Sequence, residues 1–171
     1  MTKEIERKFL LRSDDWRHQA TAASNLRQGY LTSRQDRTSV RVRLIDGVRA
    51  RLALKFARIG LTRDEFEYDI PLEEANQLLE HAVGDIIEKT RYTVPHRSFV
   101  WEVDVFHGVH CGLIIAEVEL KSEEDTPPLP GWLGREVTGN KRYSNRVLAM
   151  RSNGLSAVGL IRLDAQAYSH A

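Results

Sequence analysis

The chain has 171 residues, 42% hydrophobic and 29% charged, which suits one domain with a buried core and excludes general disorder. Its 25 Lys and Arg nearly balance 24 Asp and Glu, which argues against a nucleic-acid partner but leaves room for a local anion site. One cysteine, an N-terminus charged from its third residue and no apolar run of about 20 residues point to a cytoplasmic protein with no disulfide and no membrane partner.

Residues 4–10 alternate charged and apolar side chains and read as a strand. A short helix is expected over 13–20, where Ser13 serves as N-cap and is followed by acidic residues. Strands follow at 26–33, 40–44 and 51–56, the last two joined by a tight hairpin at Asp46-Gly47. A looser turn at Ile59-Gly60 leads to a strand over 63–70. A helix over 72–83 begins after Pro71, with Glu73 and Glu74 in its first turn and Ala75, Leu78, Leu79 and Ala82 at helical spacing. Strands at 87–94, 98–106 and 113–121 come next, the first two separated by a turn at Val94-Pro95-His96. The proline-rich stretch 126–132 is a rigid connector, and a helix over 138–152 ends before Gly154. Residues 1–154 thus form one domain, and 155–171, without periodicity, form a loosely docked tail. Such a close antiparallel succession makes the fold mainly β (α+β): a meander closing into a barrel with a few outer helices.

Residues two apart in a strand share a face. By that rule Glu4, Glu6 and Lys8 oppose Ile5, Arg7 and Phe9, and Arg41 and Arg43 oppose Val40, Val42 and Leu44. Arg63, Glu65, Glu67 and Asp69 oppose Phe66, Tyr68 and Ile70. Lys89 and Arg91 share a face, as do Glu102 and Asp104, and as do Glu117, Glu119 and Lys121. Each strand alone is compatible with a solvated outer face over an apolar core. Like-charge doublets on neighbouring positions, however, destabilise a sheet unless opposite charge lies between them. Carboxylate doublets suit hard divalent cations, and Arg or Lys doublets suit phosphate oxygens. Facing inward in a closed barrel, the two sets would suit a metal–polyphosphate complex; periodicity does not say which way they face.

The opening Glu4-Ile5-Glu6-Arg7-Lys8 matches ExExK, the N-terminal signature of the CYTH superfamily, also called triphosphate tunnel metalloenzymes. Further matches follow in order: Arg27-Gln28-Gly29-Tyr30-Leu31, Arg41-Val42-Arg43, Leu54-Lys55, Thr62-Arg63-Asp64-Glu65-Phe66-Glu67, Glu88-Lys89-Thr90-Arg91-Tyr92, Trp101-Glu102-Val103-Asp104-Val105-Phe106, Ala116-Glu117-Val118-Glu119-Leu120 and Lys141-Arg142-Tyr143-Ser144-Asn145. The chain resembles the small bacterial branch of that family, which hydrolyses inorganic triphosphate. The resemblance implies a closed eight-stranded antiparallel tunnel with its charges inside. It implies Glu4, Glu6, Glu117 and Glu119 as ligands of one or two Mg2+ or Mn2+ ions. Lys8, Arg41, Arg43, Lys55, Lys89 and Arg91 are implied as phosphate-binding residues, with Arg63 an addition or only a counter-ion to the glutamates. Glu65, Glu67 and Asp104 would line the acidic side and help hold a second metal or the attacking water. Tyr30 would pair with Lys8 as a catalytic dyad, the lysine's pKa depressed by neighbouring cations, or else simply pack at the tunnel wall.

The implied partner is a small molecule carrying a triphosphate, and an exposed strand edge would make a homodimer easy. Competing readings are a class IV adenylate cyclase, a thiamine or nucleoside triphosphatase, and a non-catalytic polyphosphate-binding module. No residues offer themselves as a seat for a base and ribose. Cys111 is expected to be a small buried thiol, and His107 and His110 to be surface residues with no zinc spacing. Trp16, Trp101 and Trp132 are expected to serve packing.

Overall fold

The computed structural model describes residues 2–56 and 63–150. Ten strands, two α-helices and three single 3-10 turns make up this part. The strands are β1 (Thr2–Glu4), β2 (Glu6–Leu11), β3 (Ala22–Tyr30), β4 (Thr38–Ile45), β5 (Arg49–Phe56), β6 (Arg63–Asp69), β7 (Ile87–His96), β8 (Phe99–Phe106), β9 (Ile114–Glu119) and β10 (Leu133–Glu136). The helices are α1 (Leu72–Glu80) and α2 (Asn145–Ala149).

Hydrogen-bonded neighbours run β1-β6-β5-β4-β3-β7-β8-β9-β2-β10, antiparallel throughout. β1 and β2 are one strand interrupted at Ile5. Its first part pairs with β6 (Glu4 opposite Arg63) and its second with β9 (Glu6 opposite Glu119), so the chain itself joins the two ends of the order. The result is an eight-stranded barrel with β10 appended outside β2.

Directly opposed residues lie on one face of a sheet, so register carries a face from strand to strand. Lys8 opposes Glu117, which opposes Glu102; Asp104 opposes Arg91; Gln28 opposes Arg43, which opposes Arg51, which opposes Asp69; Lys55 opposes Glu65. These charged positions all face the barrel interior. The apolar alternates face outward, and most are covered, while Phe56, Tyr68 and Val100 stay exposed. Ile5, Phe9, Trp101, Val103, Ala116 and Val118 lie under the segment carrying Trp16 and the one carrying Trp132 and Leu133. Trp101 meets Phe9 and Trp132 edge-on at 5.6 and 5.9 Å, so the tryptophans do serve packing. Val42, Leu44 and Ala50 lie under Ala75 and Leu79 of α1. The helix comes so close to β3 that a Cβ on Gly29 would stand 2.8 Å from the Ala82 methyl and 2.9 Å from Leu79, which is why that position is glycine.

At one end the inward positions turn apolar. Leu10, Ile87, Phe106 and Ile115, all at strand ends, cluster with Tyr143, Leu148 and Ala149 of the C-terminal segment, which plugs the barrel there. The Asp46-Gly47 hairpin forms as expected, with φ of 54° and 69°.

Several elements differ from expectation. The stretch 13–20 holds only a 3-10 turn, Arg17–Gln19, because its one buried side chain is Trp16 and it offers no apolar stripe to dock a helix. The helix over 138–152 shortens to α2, preceded by a turn at Lys141–Tyr143. Asn140 caps that turn by accepting from Arg142 N–H, and Ser144 separately caps α2 by accepting from Val147 N–H. Pro95 and His96 remain in β7, and the reversal falls at Arg97, whose φ is 57°. Strand β10 had no clear signal among its flanking Pro and Gly residues. The Ile59-Gly60 turn and the 155–171 tail lie outside the described residues. No helix among the described residues is long and apolar enough to cross a membrane.

Candidate active site in the barrel interior

Two networks of ion pairs line the interior. The first joins β2, β7, β8 and β9. Lys8 Nζ donates to Glu117 Oε1 at 2.6 Å and lies 3.0 Å from Glu6. Arg91 donates to both oxygens of Asp104, at 2.7 and 2.8 Å, to Glu117 Oε2 at 3.1 Å, and to Glu102. Lys89 donates to Asp104 and, at 3.2 Å, to Asn145 Oδ1 of α2. The second network joins β1, β4, β5 and β6. Lys55 donates to both oxygens of Glu4 at 2.6 and 2.7 Å and lies 3.3 Å from Glu65. Arg41 reaches Glu65 at 3.4 Å and Glu67 at 3.1 Å, and Arg51 reaches Glu67 at 2.8 Å and Asp69 at 2.9 Å. Between the networks stands Arg43. Among the described residues its hydrogen bond goes to a neutral group, Gln28 Oε1, at 2.9 Å.

Protonation follows from this wiring. Burial alone would raise the carboxyls of Asp104 and Glu117, but Arg91 and Lys89 for the first, and Lys8 and Arg91 for the second, hold both below the usual carboxylate range. Lys55 does the same for Glu4 against its own burial. Burial, with Arg91 and Arg43 adding to it against the pull of Asp104, pushes Lys89 down to about 8. Burial and the like charges of Arg41 and Arg91 lower Arg43 to about 9, so it stays charged near neutrality.

Lys8 and Tyr30 depart from the dyad expectation. Burial would depress Lys8, but Glu117 and Glu6 outweigh it and raise the ammonium above its ordinary range. Burial raises the Tyr30 phenol, and its oxygen accepts from Gln28 Nε2 at 3.3 Å. Both shifts favour the protonated forms, so the depressed lysine pKa that the dyad reading expected is not found here.

The proposed metal ligands Glu4, Glu6, Glu117 and Glu119 line the interior, yet among the described residues no three carboxylate or histidine groups are already gathered as a metal cage. Three of the four are engaged by Lys55, Lys8 and Arg91. Glu119 is the informative one. Burial first, then the charges of Glu4, Glu102, Glu65 and Glu6, raise its carboxyl. Five carboxylates therefore bear on one region, and this oxygen-rich, electronegative donor set fits a hard divalent ion.

The side chain of Arg63 lies outside the described residues, although its backbone opens β6 opposite Glu4. Sequence reasoning gave no site role to four interior residues: Gln28, Arg51, Glu102 and Asn145. Gln28, Arg51 and Glu102 had a signal, since each sits two residues from an assigned one along a strand or opposite one by register. Asn145 lay within the matched segment from Lys141 to Asn145, but the match gave it no role, because a helix residue's partner across the barrel is not written in its local pattern. Two surface expectations are reversed. Cys111 is exposed, at the C-cap of a turn, whereas His110 is buried against Phe106. His107 is exposed and meets the Thr90 hydroxyl at 2.8 Å.

The CYTH domain family model matches residues 2–147. The chain is 44% identical over 146 residues to an inorganic triphosphatase of Acetivibrio thermocellus, covering 85% of this chain and 92% of that protein. It is 39% identical over 153 residues to an inorganic triphosphatase of Nitrosomonas europaea, covering 86% and 97%. Among solved structures, the inorganic triphosphatase NE1496 superposes with a TM-score of 0.64 at 35% identity, covering 90% of this chain and 99% of that one.

Proposed function

The chain belongs to the CYTH domain family, and from that premise we propose that it hydrolyses inorganic triphosphate to pyrophosphate and phosphate inside the barrel. The observation that carries the reading is Arg43. A half-buried cation with a neutral hydrogen-bond partner, flanked by Arg41 and Arg91, calls for an anion in the interior. Lys8, Arg41, Arg43, Lys55, Lys89 and Arg91 surround the same space, and Arg51 extends it toward Asp69. The position of Arg63 falls on the same face by register.

The chemistry asks for little covalent work from the protein and much electrostatic work. An incoming triphosphate exchanges with carboxylates for the guanidinium and ammonium donors, which then hold the chain in line and stabilise charge on the transferring phosphoryl and the leaving pyrophosphate. The carboxylates so released, Glu4, Glu6, Glu117 and Glu119, would hold divalent magnesium or manganese, which neutralises substrate charge and acidifies a bound water when present. Glu65, Glu67 and Asp104 flank the phosphate-binding cations, where a carboxylate can accept a proton from the attacking water. Tyr30 serves as a fixed neutral wall beside Gln28. Nothing in this arrangement calls for a nucleic-acid or membrane partner.

The test offers the purified protein tripolyphosphate, ATP, thiamine triphosphate and pyrophosphate with magnesium or manganese, following phosphate and cyclic AMP together. Tripolyphosphate turnover should dominate. Cyclic AMP as the main product, or no turnover of any substrate, would sink the proposal in favour of a cyclase or a binding module. Glu4→Gln should lose turnover by on the order of 100-fold, whereas Tyr30→Phe should keep it within a few-fold.

A further inference from the structure

The C-terminal segment does more than plug the barrel. α2 is fixed from several sides that do not involve its first residue. Leu148 and Ala149 are buried among Ile87, Phe106 and Ile115, and the Ala149 carbonyl accepts from Asp85 N–H at 2.7 Å. The Arg146 guanidinium donates to the carbonyls of Ser33, Asp36 and Thr38, which ties the β3–β4 loop to the helix. On this fixed support Asn145 faces the interior, and its Oδ1 accepts from Lys89 Nζ.

Lys89 is the most enclosed cation of the site. Its side chain and that of Asp104 are both 0% exposed, and its ammonium stands 5.2 Å from the Phe106 ring centre. Asp104 is already bound by two nitrogens of Arg91 and pulls Lys89 toward the wall. A second acceptor, on the side of the plug, sets the direction of the ammonium. That acceptor is a neutral amide, which orients the ammonium without adding a second carboxylate to the Asp104 that already pairs with it and that a phosphate oxygen must displace.

We propose that Asn145 is a positioning residue of the site: it aims Lys89 at the bound triphosphate and so makes the C-terminal helix part of the phosphate cradle. The proposal rests on reading the interior as a triphosphate site. Two substitutions distinguish aiming from mere packing. Asn145→Ala removes the acceptor, while Asn145→Asp keeps the shape and adds a charge that competes with phosphate for Lys89.

The experiment measures tripolyphosphate affinity by titration calorimetry in metal-free buffer, where turnover does not interfere. It compares wild type, Asn145→Ala, Asn145→Asp, Lys89→Met and the Lys89→Met/Asn145→Ala double variant, with thermal unfolding of each. Asn145→Ala should weaken binding about 5- to 20-fold, and Asn145→Asp more. On the Lys89→Met background, Asn145→Ala should change affinity less than about twofold. Equal losses on both backgrounds, or wild-type affinity in Asn145→Ala, overturn the proposal. If Lys89→Met fails to fold, the ordering of Asp below Ala below wild type still decides, and Asp equal to Ala refutes it. Wild type that binds tripolyphosphate but does not hydrolyse it with magnesium removes the triphosphatase reading and leaves this cycle decisive; wild type that hydrolyses it with magnesium but does not bind it without metal overturns the positioning proposal alone, and wild type that does neither overturns both.

Discussion

The two sides of the barrel use the same residue types in different surroundings. On the β7–β8–β9 side, Lys89 and Asp104 are 0% exposed and Arg91 is shared among three carboxylates. On the β5–β6 side, Arg51 and Asp69 form a pair of similar geometry with side chains 41% and 83% exposed. Coulomb attraction is strong in the first setting and screened in the second, while the cost of leaving a charge unpaired differs in the same sense. The buried side must therefore replace any ion pair it opens, a carboxylate by a phosphate or a cation by a divalent ion, for the barrel to stand. The Arg51–Asp69 pair, unlike the enclosed Lys55–Glu4 and Arg41–Glu65 pairs beside it, can trade a carboxylate for a phosphate at small cost, which suits the place where substrate first engages.

That contrast can be broken most directly at Arg91. Arg91→Ala leaves Asp104 and Glu117 buried with less cation beside them, and should cost about 3–5 kcal/mol in denaturant unfolding, besides abolishing turnover. A loss below about 1 kcal/mol would show the two sides to be equivalent.

Acid sharpens the same comparison. Asp104, Glu117 and Glu4 have folded pKa values below their unfolded ones, which lie near 3.9 for Asp and 4.3 for Glu. Their contribution to stability is thus complete above about pH 5 and is lost as the pH falls through the folded values. Glu119 runs the other way, since its raised carboxyl favours the folded state on protonation, and offsets part of the loss. Stability followed from pH 7 to 2 should fall mainly below about pH 4, and Asp104→Asn should flatten that fall. The smallest effect is expected from Asp69→Asn at neutral pH, within about 0.5 kcal/mol. A change above about 2 kcal/mol would mean that the open side depends on its ion pairs no less than the buried one does.

Much of this was legible in the sequence wherever two like charges stood two apart. Arg41 with Arg43, Lys89 with Arg91 and Glu117 with Glu119 all share the face that alternation assigned them, and the ExExK match said which face was inside. What alternation could not supply was pairing. That Lys8 meets Glu117, and so carries a raised rather than a depressed pKa, depends on β2 lying beside β9, more than a hundred residues away in the chain. The helix expected over 13–20 failed for a related reason: a good N-cap cannot substitute for a buried face, and only Trp16 found one. Arg51 was overlooked because the strand was expected to begin at residue 51, which hid the Arg49–Arg51 doublet along β5. Asn145 sits in a helix whose site partner belongs to β7.

The break at Ile5 has a temporal side. The same short segment pairs with β6 through Glu4 and with β9 through Glu6, so a strand made early in synthesis needs two partners that follow it by about 60 and 110 residues. At ~5–20 residues per second, the later partner emerges on the order of ten seconds after that strand. Until then the strand, alternating Ile5 and Phe9 with charges, has no complete ladder to join. Sealing the barrel is thus a late, long-range step, and it falls to the segment that also carries three of the site's charges. The tunnel can acquire its chemistry only at the moment its wall is finished.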